Sequence, residues 1–282
     1  YSKSTLWVKV YNDKKSFLIL PINIDFQNRG YCPFKSYIFP YKKLNIEVLE
    51  TDWRVIGAKI KEKLNLNYLE FILAVDCFNH TNMSTWFLDL NGVEKKELIL
   101  NKFDKKTRNE IKKSLRSNWE IKFLNKDDLF QIYELYRENI RRHKSIAKPI
   151  SYFEALFDIF GDRLWCLGVS LDGELAAVNI SLVSSRRLRL LFNLSKITYW
   201  QKCVNNFIYY KMIEQGFDSG IKFFDFGPTS NKDVGHLRFK KGFGAVKCPL
   251  LRVRFCSNWR LFIFWFKQKI FNFNLRFKKI WI

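Results

Sequence analysis

Residues 164–194 read LWCLGVSLDGELAAVNISLVSSRRLRLLFNL. Two apolar runs, Leu164–Leu171 and Glu174–Val183, flank Asp172-Gly173, a dipeptide that tolerates the positive φ of a tight hairpin turn. A third run, Leu188–Leu194, follows a short polar break, so the segment predicts an antiparallel three-strand meander. On its N-terminal side lie a strand at Trp119–Leu124 and two amphipathic helices. Asp127 is the expected cap of the first, which carries Leu129, Ile132, Tyr133, Leu135 and Tyr136. Ser151 is the expected cap of the second, with Phe153, Leu156, Phe157 and Phe160. On the C-terminal side a helix is predicted from about Trp200 to Phe217. A short strand, Ile221–Phe226, then runs into the loop Gly227-Pro228-Thr229-Ser230, before a short helix and a last strand near Lys247–Phe255. The order β-α-α-β-β-β-α-β makes this an α/β (α+β) fold, a mixed sheet with helices on both faces.

Upstream, Leu6–Tyr11 and Phe17–Ile22 alternate as strands around a turn at Asn12–Lys15, and a helix is expected from Asp52 through Trp53, Ile56, Ile60 and Leu64. Tyr68–Val75 and Thr85–Leu90 read as further strands. Between Lys102 and Ser117 the apolar positions Phe103, Thr107, Ile111 and Leu115 recur every fourth residue among Lys, Arg, Asn and Glu. This predicts a basic amphipathic helix at a module boundary. The expected organisation is a partial first module over residues 1–101, a second over 102–256, and a tail over 257–282.

The chain has 282 residues, 48% hydrophobic and 27% charged, which excludes wholesale disorder and allows two domains. No apolar run reaches the roughly 18 residues of a membrane-spanning helix. The chain begins at Tyr1 without a basic-then-apolar leader, so no signal peptide is expected and the natural start is expected upstream. The six cysteines form no Cys-x-x-Cys pair and read as thiols of a reducing, cytoplasmic compartment. His80, His143 and His236 lack metal-ligand spacing, and no metal is expected.

Lys and Arg number 49 against 27 Asp and Glu, a net +22. Such a balance favours anionic partners, whether nucleic acid, phosphorylated substrates or an anionic membrane face. After Asp233 come 12 basic residues, Arg238 to Lys279, and no acidic one. In the tail, Trp259, Phe262, Ile263, Phe266, Ile270, Phe273, Phe277 and Trp281 share one helical sector of about 100°. Arg260, Lys267, Lys269, Lys278 and Lys279 occupy the other faces. Packing of the tail on the body would leave Phe264, Trp265 and Phe271 exposed, so an interfacial helix at the inner membrane surface is expected.

Three stretches carry a family resemblance. Phe224-Asp225-Phe226-Gly227-Pro228-Thr229-Ser230, then Gly235, then Arg238-Phe239-Lys240-Lys241-Gly242-Phe243-Gly244-Ala245 resembles the C-terminal signature of the FemAB-like acyltransferases. Lys105-Lys106-Thr107-Arg108-Asn109-Glu110-Ile111-Lys112-Lys113 is similar to their basic segment. Tyr133–His143 with Pro149 is similar to a third, with Lys144 in place of the usual Gly. The resemblance covers about residues 80 to 250. It implies two tandem GNAT-like modules, the first truncated. It also implies transfer of an acyl group, often aminoacyl from tRNA, to an amine, often on a cell-wall precursor. No cofactor is held permanently; the acyl donor, aminoacyl-tRNA or acyl-CoA, is a co-substrate.

Acyl transfer to an amine needs a positioned nucleophile, a route for its proton and stabilisation of a developing oxyanion. The chain has no Gly-x-Ser-x-Gly and no Ser, Cys or His constellation for a covalent route, so direct attack by the acceptor amine is expected. By the resemblance Lys240 is the catalytic cation, beside the reacting carbonyl or a donor phosphate. Asp225 ends an apolar strand, where a carboxylate needs partners. It is expected either to orient the acceptor amine, to hold Arg238, or to pin the Gly227–Ser230 loop. Arg238, Phe239, Gly227 and Ser230 are the expected substrate contacts of the signature. Arg142 and His143 end a helix, where the dipole explains them and a phosphate contact is the functional alternative.

The region that cradles the CoA pyrophosphate in GNAT enzymes corresponds to Ser195–Asn206, which has no glycine. Ordinary CoA binding is therefore not expected, although Lys196, Lys202 and Asn205 could touch an anion. The expected partners are the acyl donor on tRNA or another carrier, an anionic or lipid-linked acceptor, and a membrane surface reached through residues 258–282. The alternatives are an acyl-CoA or acyl-carrier-protein dependent N-acyltransferase with another acceptor, and a non-catalytic membrane or nucleic-acid binding protein of the same fold.

Liposome flotation tests the tail: the full chain should float with anionic vesicles and a chain ending at Ser257 should float less. Equal flotation of the two would remove the interfacial helix.

Overall fold

The computed structural model describes residues 4–11, 17–24, 29–32, 50–74, 82–94, 102–184 and 186–256. In chain order the first elements are β1 (Ser4–Tyr11), β2 (Phe17–Ile24), β3 (Arg29–Cys32), α1 (Glu50–Lys63), β4 (Tyr68–Ala74), β5 (Met83–Asp89) and α2 (Lys105–Ser114). Then come β6 (Glu120–Phe123), α3 (Leu129–Arg142), α4 (Ile150–Phe160), β7 (Leu164–Leu171), β8 (Glu174–Ser184) and β9 (Arg187–Ser195). The last are α5 (Val204–Asp218), β10 (Phe223–Asp225), β11 (Thr229–Ser230), α6 (Val234–Gly242) and β12 (Val246–Cys256). The Asn12–Lys15 turn and the tail from residue 257 lie outside the described residues. Among the described residues no helix is long and apolar enough to cross a membrane.

The chain divides into two compact units, one of residues 1–81 with 249–282, the other of residues 82–248. The expected cuts after residues 101 and 256 differ from these: β5 pairs antiparallel with β10, which places residues 83–89 in the second unit, and Leu250–Cys256 pairs with β4, which places it in the first. The hydrophobic pattern marks β5 as a strand but says nothing of its partner. In the first unit β1, β2 and β3 are antiparallel neighbours, β3 runs parallel to β4, and Leu250–Cys256 pairs antiparallel with β4.

In the second unit the sheet order is β5-β10-β9-β8-β7-β6. All neighbours are antiparallel except β9 and β10, which are parallel. The hairpin turn at Asp172-Gly173 forms as read, both residues having positive φ. Strand alternation sends side chains to two cores. Leu167 and Val169 of β7 face a cluster with Phe103 and Ile111 of α2, Phe207 and Met212 of α5, and Phe243 after α6. Leu164 and Cys166 face the opposite cluster, with Ile132 and Tyr136 of α3 and Phe153 of α4. The GNAT-like mixed sheet with helices on both faces is therefore the fold.

Local differences from the sequence pattern have physical causes. The helix at Ile150 follows Pro149, whose fixed φ suits a helix start, so Ser151 is not the cap. Asn125, not Asp127, caps the turn before α3, with Asp128 returning the bond to the Asn125 N–H. On α2 the fourth expected apolar position, Leu115, is 50% exposed, and Ser114 is buried in its place. Its hydroxyl donates to the Ile111 carbonyl. Asp104 caps α2 through the Thr107 N–H at 2.7 Å, and its own N–H donates to the Gly242 carbonyl at 2.8 Å. That pair of bonds ties the start of α2 to the end of α6.

Lys144, where the resembling family has Gly, sits at φ 50°. The Ser145 N–H bonds the Ile140 carbonyl and the Lys144 N–H bonds the Arg141 carbonyl, a helix ending that suits glycine. A side chain there costs about 1 kcal/mol. Lys144→Gly should raise stability by about that amount in urea unfolding with the slope unchanged; a loss would contradict the left-handed ending.

Candidate active site

β9 and β10 run parallel for only three pairs, Phe223 with Arg187 through Asp225 with Arg189. After Asp225 the chain leaves β9. The Phe226 N–H bonds the Trp86 carbonyl at 2.8 Å, and Thr229 and Ser230 pair with Ser84 and Met83 of β5. Among the described residues, β9 has no strand of this sheet on its β10 side from Leu191 onward. The turn that makes the departure is Gly227, with φ 75°; a Cβ there would lie 3.3 Å from the Leu190 carbonyl oxygen. Only glycine meets both conditions comfortably.

Asp225 is fully buried. Its Oδ1 accepts from the Thr85 hydroxyl at 2.7 Å and from the Gly227 N–H at 2.9 Å. Its Oδ2 accepts from the Arg187 guanidinium. The expected pairing with Arg238 is not found: Arg238 is exposed on α6. Arg187 reaches Asp225 because their strands are parallel neighbours, which the sequence does not announce. Of the three expected roles, the contacts made are those that pin the loop.

Lys240 is 4% exposed. Its ammonium donates to the Gly227 carbonyl at 2.7 Å and to the Thr229 hydroxyl. Burial pushes its pKa down to about 8, against the opposing pull of Asp225 and Asp233. The group is therefore mostly protonated at neutral pH, and among the described residues its third N–H has no acceptor. Phe239 packs edge-on to Tyr209 and against Phe243, so it is part of the wall behind Lys240. Ser230 is exposed and its hydroxyl accepts from the Lys232 N–H at 3.3 Å.

Other expected contacts are differently employed. The Arg142 guanidinium donates to the Asn139 carboxamide at 2.6 Å and to the Ser195 carbonyl at 3.2 Å, and lies over Trp200. It ties α3 to the end of β9. His143 caps α3 from an exposed position. Asn205 accepts from Asn193 at 3.0 Å. The expected helix start at Trp200 is a 3₁₀ turn, Ile197–Lys202, and Cys203 has φ 57° before α5 begins. Lys196 and Tyr199 both engage Glu174. At the first turn of α5, Asn206 donates to the Glu110 carboxylate at 2.9 Å. An acid therefore stands beside the first turn of α5, where it weakens the pull of the helix dipole on an anion.

This architecture defines a GNAT-type acyltransferase fold with a buried cation at the parting of two parallel strands. The sequence profile of the acetyltransferase (GNAT) domain matches residues 101–241, half of the 282-residue chain, and the chain belongs to that family. Among curated protein sequences none matches. Among solved structures the chain is similar to FemX, with TM-score 0.70 and 13% identity over 92% of this chain and 90% of that one. It is also similar to a tandem GNAT protein of the clavulanic acid biosynthesis pathway, with TM-score 0.55 and 7% identity over 90% and 84%. A third is the C-terminal domain of an Agrobacterium fabrum protein described as a lysylphosphatidylglycerol synthetase, with TM-score 0.55 and 10% identity over 87% and 83%. Likeness at these identities shows the fold.

Because the Lys240 pKa falls from 10.5 to about 8 on folding, stability should depend on pH with a definite sign. Below pH 8 both states bind the proton and the native state carries the full cost of the buried charge. Between about pH 8 and 10.5 the unfolded chain binds more protons, so stability rises, by roughly 3 kcal/mol in all. Urea unfolding at pH 7 to 10 should show this rise in the wild type relative to Lys240→Met; parallel profiles would refute it.

Proposed function

We propose that the protein is an N-acyltransferase that passes an acyl group from a carrier directly to the amine of an anionic or lipid-linked cell-envelope precursor. The observation that carries this is the Lys240 ammonium, buried behind the Gly227 turn with one N–H uncommitted where β9 loses its neighbour. A carbonyl placed there gains a fixed positive charge as its oxygen turns anionic, in a setting where water competes little. Lys240 is the proposed catalytic residue. Asp225 is the proposed positioning residue, acting through Gly227. The attacking amine forms the new C–N bond, the carrier's ester oxygen or thioester sulfur leaves with the electron pair, and the proton lost by the amine ends on that leaving atom. Gly227, Ser230, Arg238 and Phe239 surround this point in the sequence signature. Among them Phe239 acts as packing and Arg238 and Ser230 remain available to an incoming substrate.

Two features favour aminoacyl-tRNA, or another large carrier, over free acyl-CoA as donor. Glu110 and the glycine-free 3₁₀ turn stand at the start of α5, against a pyrophosphate. The exposed face of α2 is basic, carrying Lys105, Lys106, Lys112 and Lys113, although Glu110 pairs with Lys106 on it. A polyphosphate backbone suits such a face. The fold likeness to FemX and to the lysylphosphatidylglycerol synthetase domain supports an aminoacyl donor and a lipid or cell-wall acceptor. The amphipathic stretch 258–282 would hold the protein at the inner face of the membrane. A carrier-protein donor is the second reading, favoured by the same basic face.

Transfer from labelled aminoacyl-tRNA and acetyl-CoA to a membrane-precursor extract tests this. One donor, expected to be aminoacyl-tRNA, should give product, and Lys240→Ala should lower turnover by about 10²–10³-fold. Lys240→Arg should not restore it, because a planar guanidinium cannot occupy the ammonium's place. Transfer unaffected by Lys240→Ala would remove the catalytic assignment, and transfer from neither donor would remove the proposed donors.

A further inference from the structure

β6 is the outermost strand of the second unit's sheet, bonded to β7 on one side. All four of its residues are exposed, so among the described residues nothing covers its other side. The Leu124 N–H bonds the Cys166 carbonyl at 2.7 Å. In an antiparallel ladder every second residue faces its partner strand in this way, so Lys122 and Glu120 also turn their backbone groups to β7. The N–H and C=O groups of Ile121 and Phe123 therefore point outward. The side chains of these two lie on the face of Val169 and Leu167, their partners in β7, and each is 44% exposed. Phe123 meets Trp165 edge-on, at 5.7 Å between ring centroids. An edge that offers bare backbone groups together with apolar side chains is a template for a further strand. Lys122, the one cation on the strand, is drawn to Asp128 at 3.1 Å.

We propose that the further strand is β6 of a second copy of the chain, running antiparallel with Ile121 opposite Ile121. Outward-facing residues must pair with outward-facing residues, which restricts a two-fold pairing to registers centred on a residue rather than between two. For a strand of four residues, Glu120–Phe123, two such registers overlap three of them. One is centred on Lys122 and sets Lys122 against Lys122. The other is centred on Ile121 and sets Glu120 of each copy against Lys122 of the other, on the face away from Ile121. Like charges directly opposite are destabilising and unlike charges favourable, so charge selects the register on Ile121. There the Ile121 N–H and C=O bond their counterparts, and the Phe123 N–H reaches the Trp119 carbonyl of the other copy. On the apolar face Phe123 of each copy meets Trp119 of the other, on either side of the Ile121 pair. An ammonium has three N–H groups, enough for Asp128 and for Glu120 of the second copy. A two-fold contact of this kind is closed, so it yields a dimer and not a filament. Nothing in the pairing depends on the acyltransferase reading.

Sedimentation velocity of the full chain at rising micromolar concentration tests this. The wild type should pass from monomer to dimer. Ile121→Pro removes an N–H that β7 does not use, so the ladder to β7 should survive and the dimer should be lost. Glu120→Lys and Lys122→Glu each set like charges opposite and should each weaken self-association about tenfold. Mixed together, these two variants present unlike charges at both positions, and the mixture should associate about as strongly as the wild type. A folding defect in either variant would not give that rescue. A wild type that stays monomeric, self-association untouched by the three variants, or a mixture no stronger than its components would overturn the pairing. Self-association through another surface, such as the amphipathic stretch 258–282, would give the second of these results.

Discussion

The peptide unit at Gly227 is gripped from both ends. Its N–H is fixed by the carboxylate of Asp225, two residues back, and its C=O by the ammonium of Lys240 on the following helix. With φ at 75° and the Leu190 carbonyl oxygen 3.3 Å from where a Cβ would stand, the residue has little freedom left. This grip ends the pairing of β9 and β10 after three residues and swings the chain across to β5. It also fixes the height of α6, because Lys240 must reach back to the turn from the helix's last turn. That turn is in turn bound to the start of α2 through the bond from Asp104 to the Gly242 carbonyl. A Cβ on Gly242 would stand 2.4 Å from the Thr107 hydroxyl, so the two helices meet at backbone distance.

Two buried charges of opposite sign serve one turn, yet each has its own partners. Asp225 is satisfied by Arg187, Thr85 and the Gly227 N–H. Among the described residues Lys240 has only neutral acceptors, the Gly227 carbonyl and the Thr229 hydroxyl. The asymmetry explains its lowered pKa: desolvation outweighs the more distant pull of Asp225 and Asp233. An ammonium neutralised by a direct carboxylate contact would lend little field to a reacting carbonyl. One held by dipoles, with its charge uncompensated at close range, keeps that field.

The meander, the flanking helices and the hairpin turn were legible because they follow from alternation, amphipathic spacing and Asp172-Gly173, all local signals. Lys240 and Asp225 were legible only through their place in a family signature. The partners were not legible. Arg187 meets Asp225 through a parallel pairing between strands 38 residues apart in sequence, and no local pattern encodes which arginine stands opposite. A basic helix end looks the same whether it awaits a phosphate or, as Arg142 does, holds a carbonyl of the next layer.

The same logic bears on the donor. A GNAT fold ordinarily offers an anion the bare N–H groups at the start of the helix after the meander. Here Asn206 bonds Glu110 beside that helix start, and burial pushes the preceding Cys203 thiol up, with Glu110 raising it further and Lys113 opposing. Positive charge lies instead on the outer face of α2, where Lys105, Lys106, Lys112 and Lys113 are exposed with Glu110 nearby. Binding energy drawn from such a face is spread over many screened contacts, unlike that of a phosphate loop. A donor held this way needs many phosphates to be held well and loses affinity steeply with salt. A single pyrophosphate gains little from it. The charge distribution of α2 and α5 together therefore weighs toward a polyanionic carrier as the proposed donor, with the proposed chemistry left to Lys240 and the Gly227 turn.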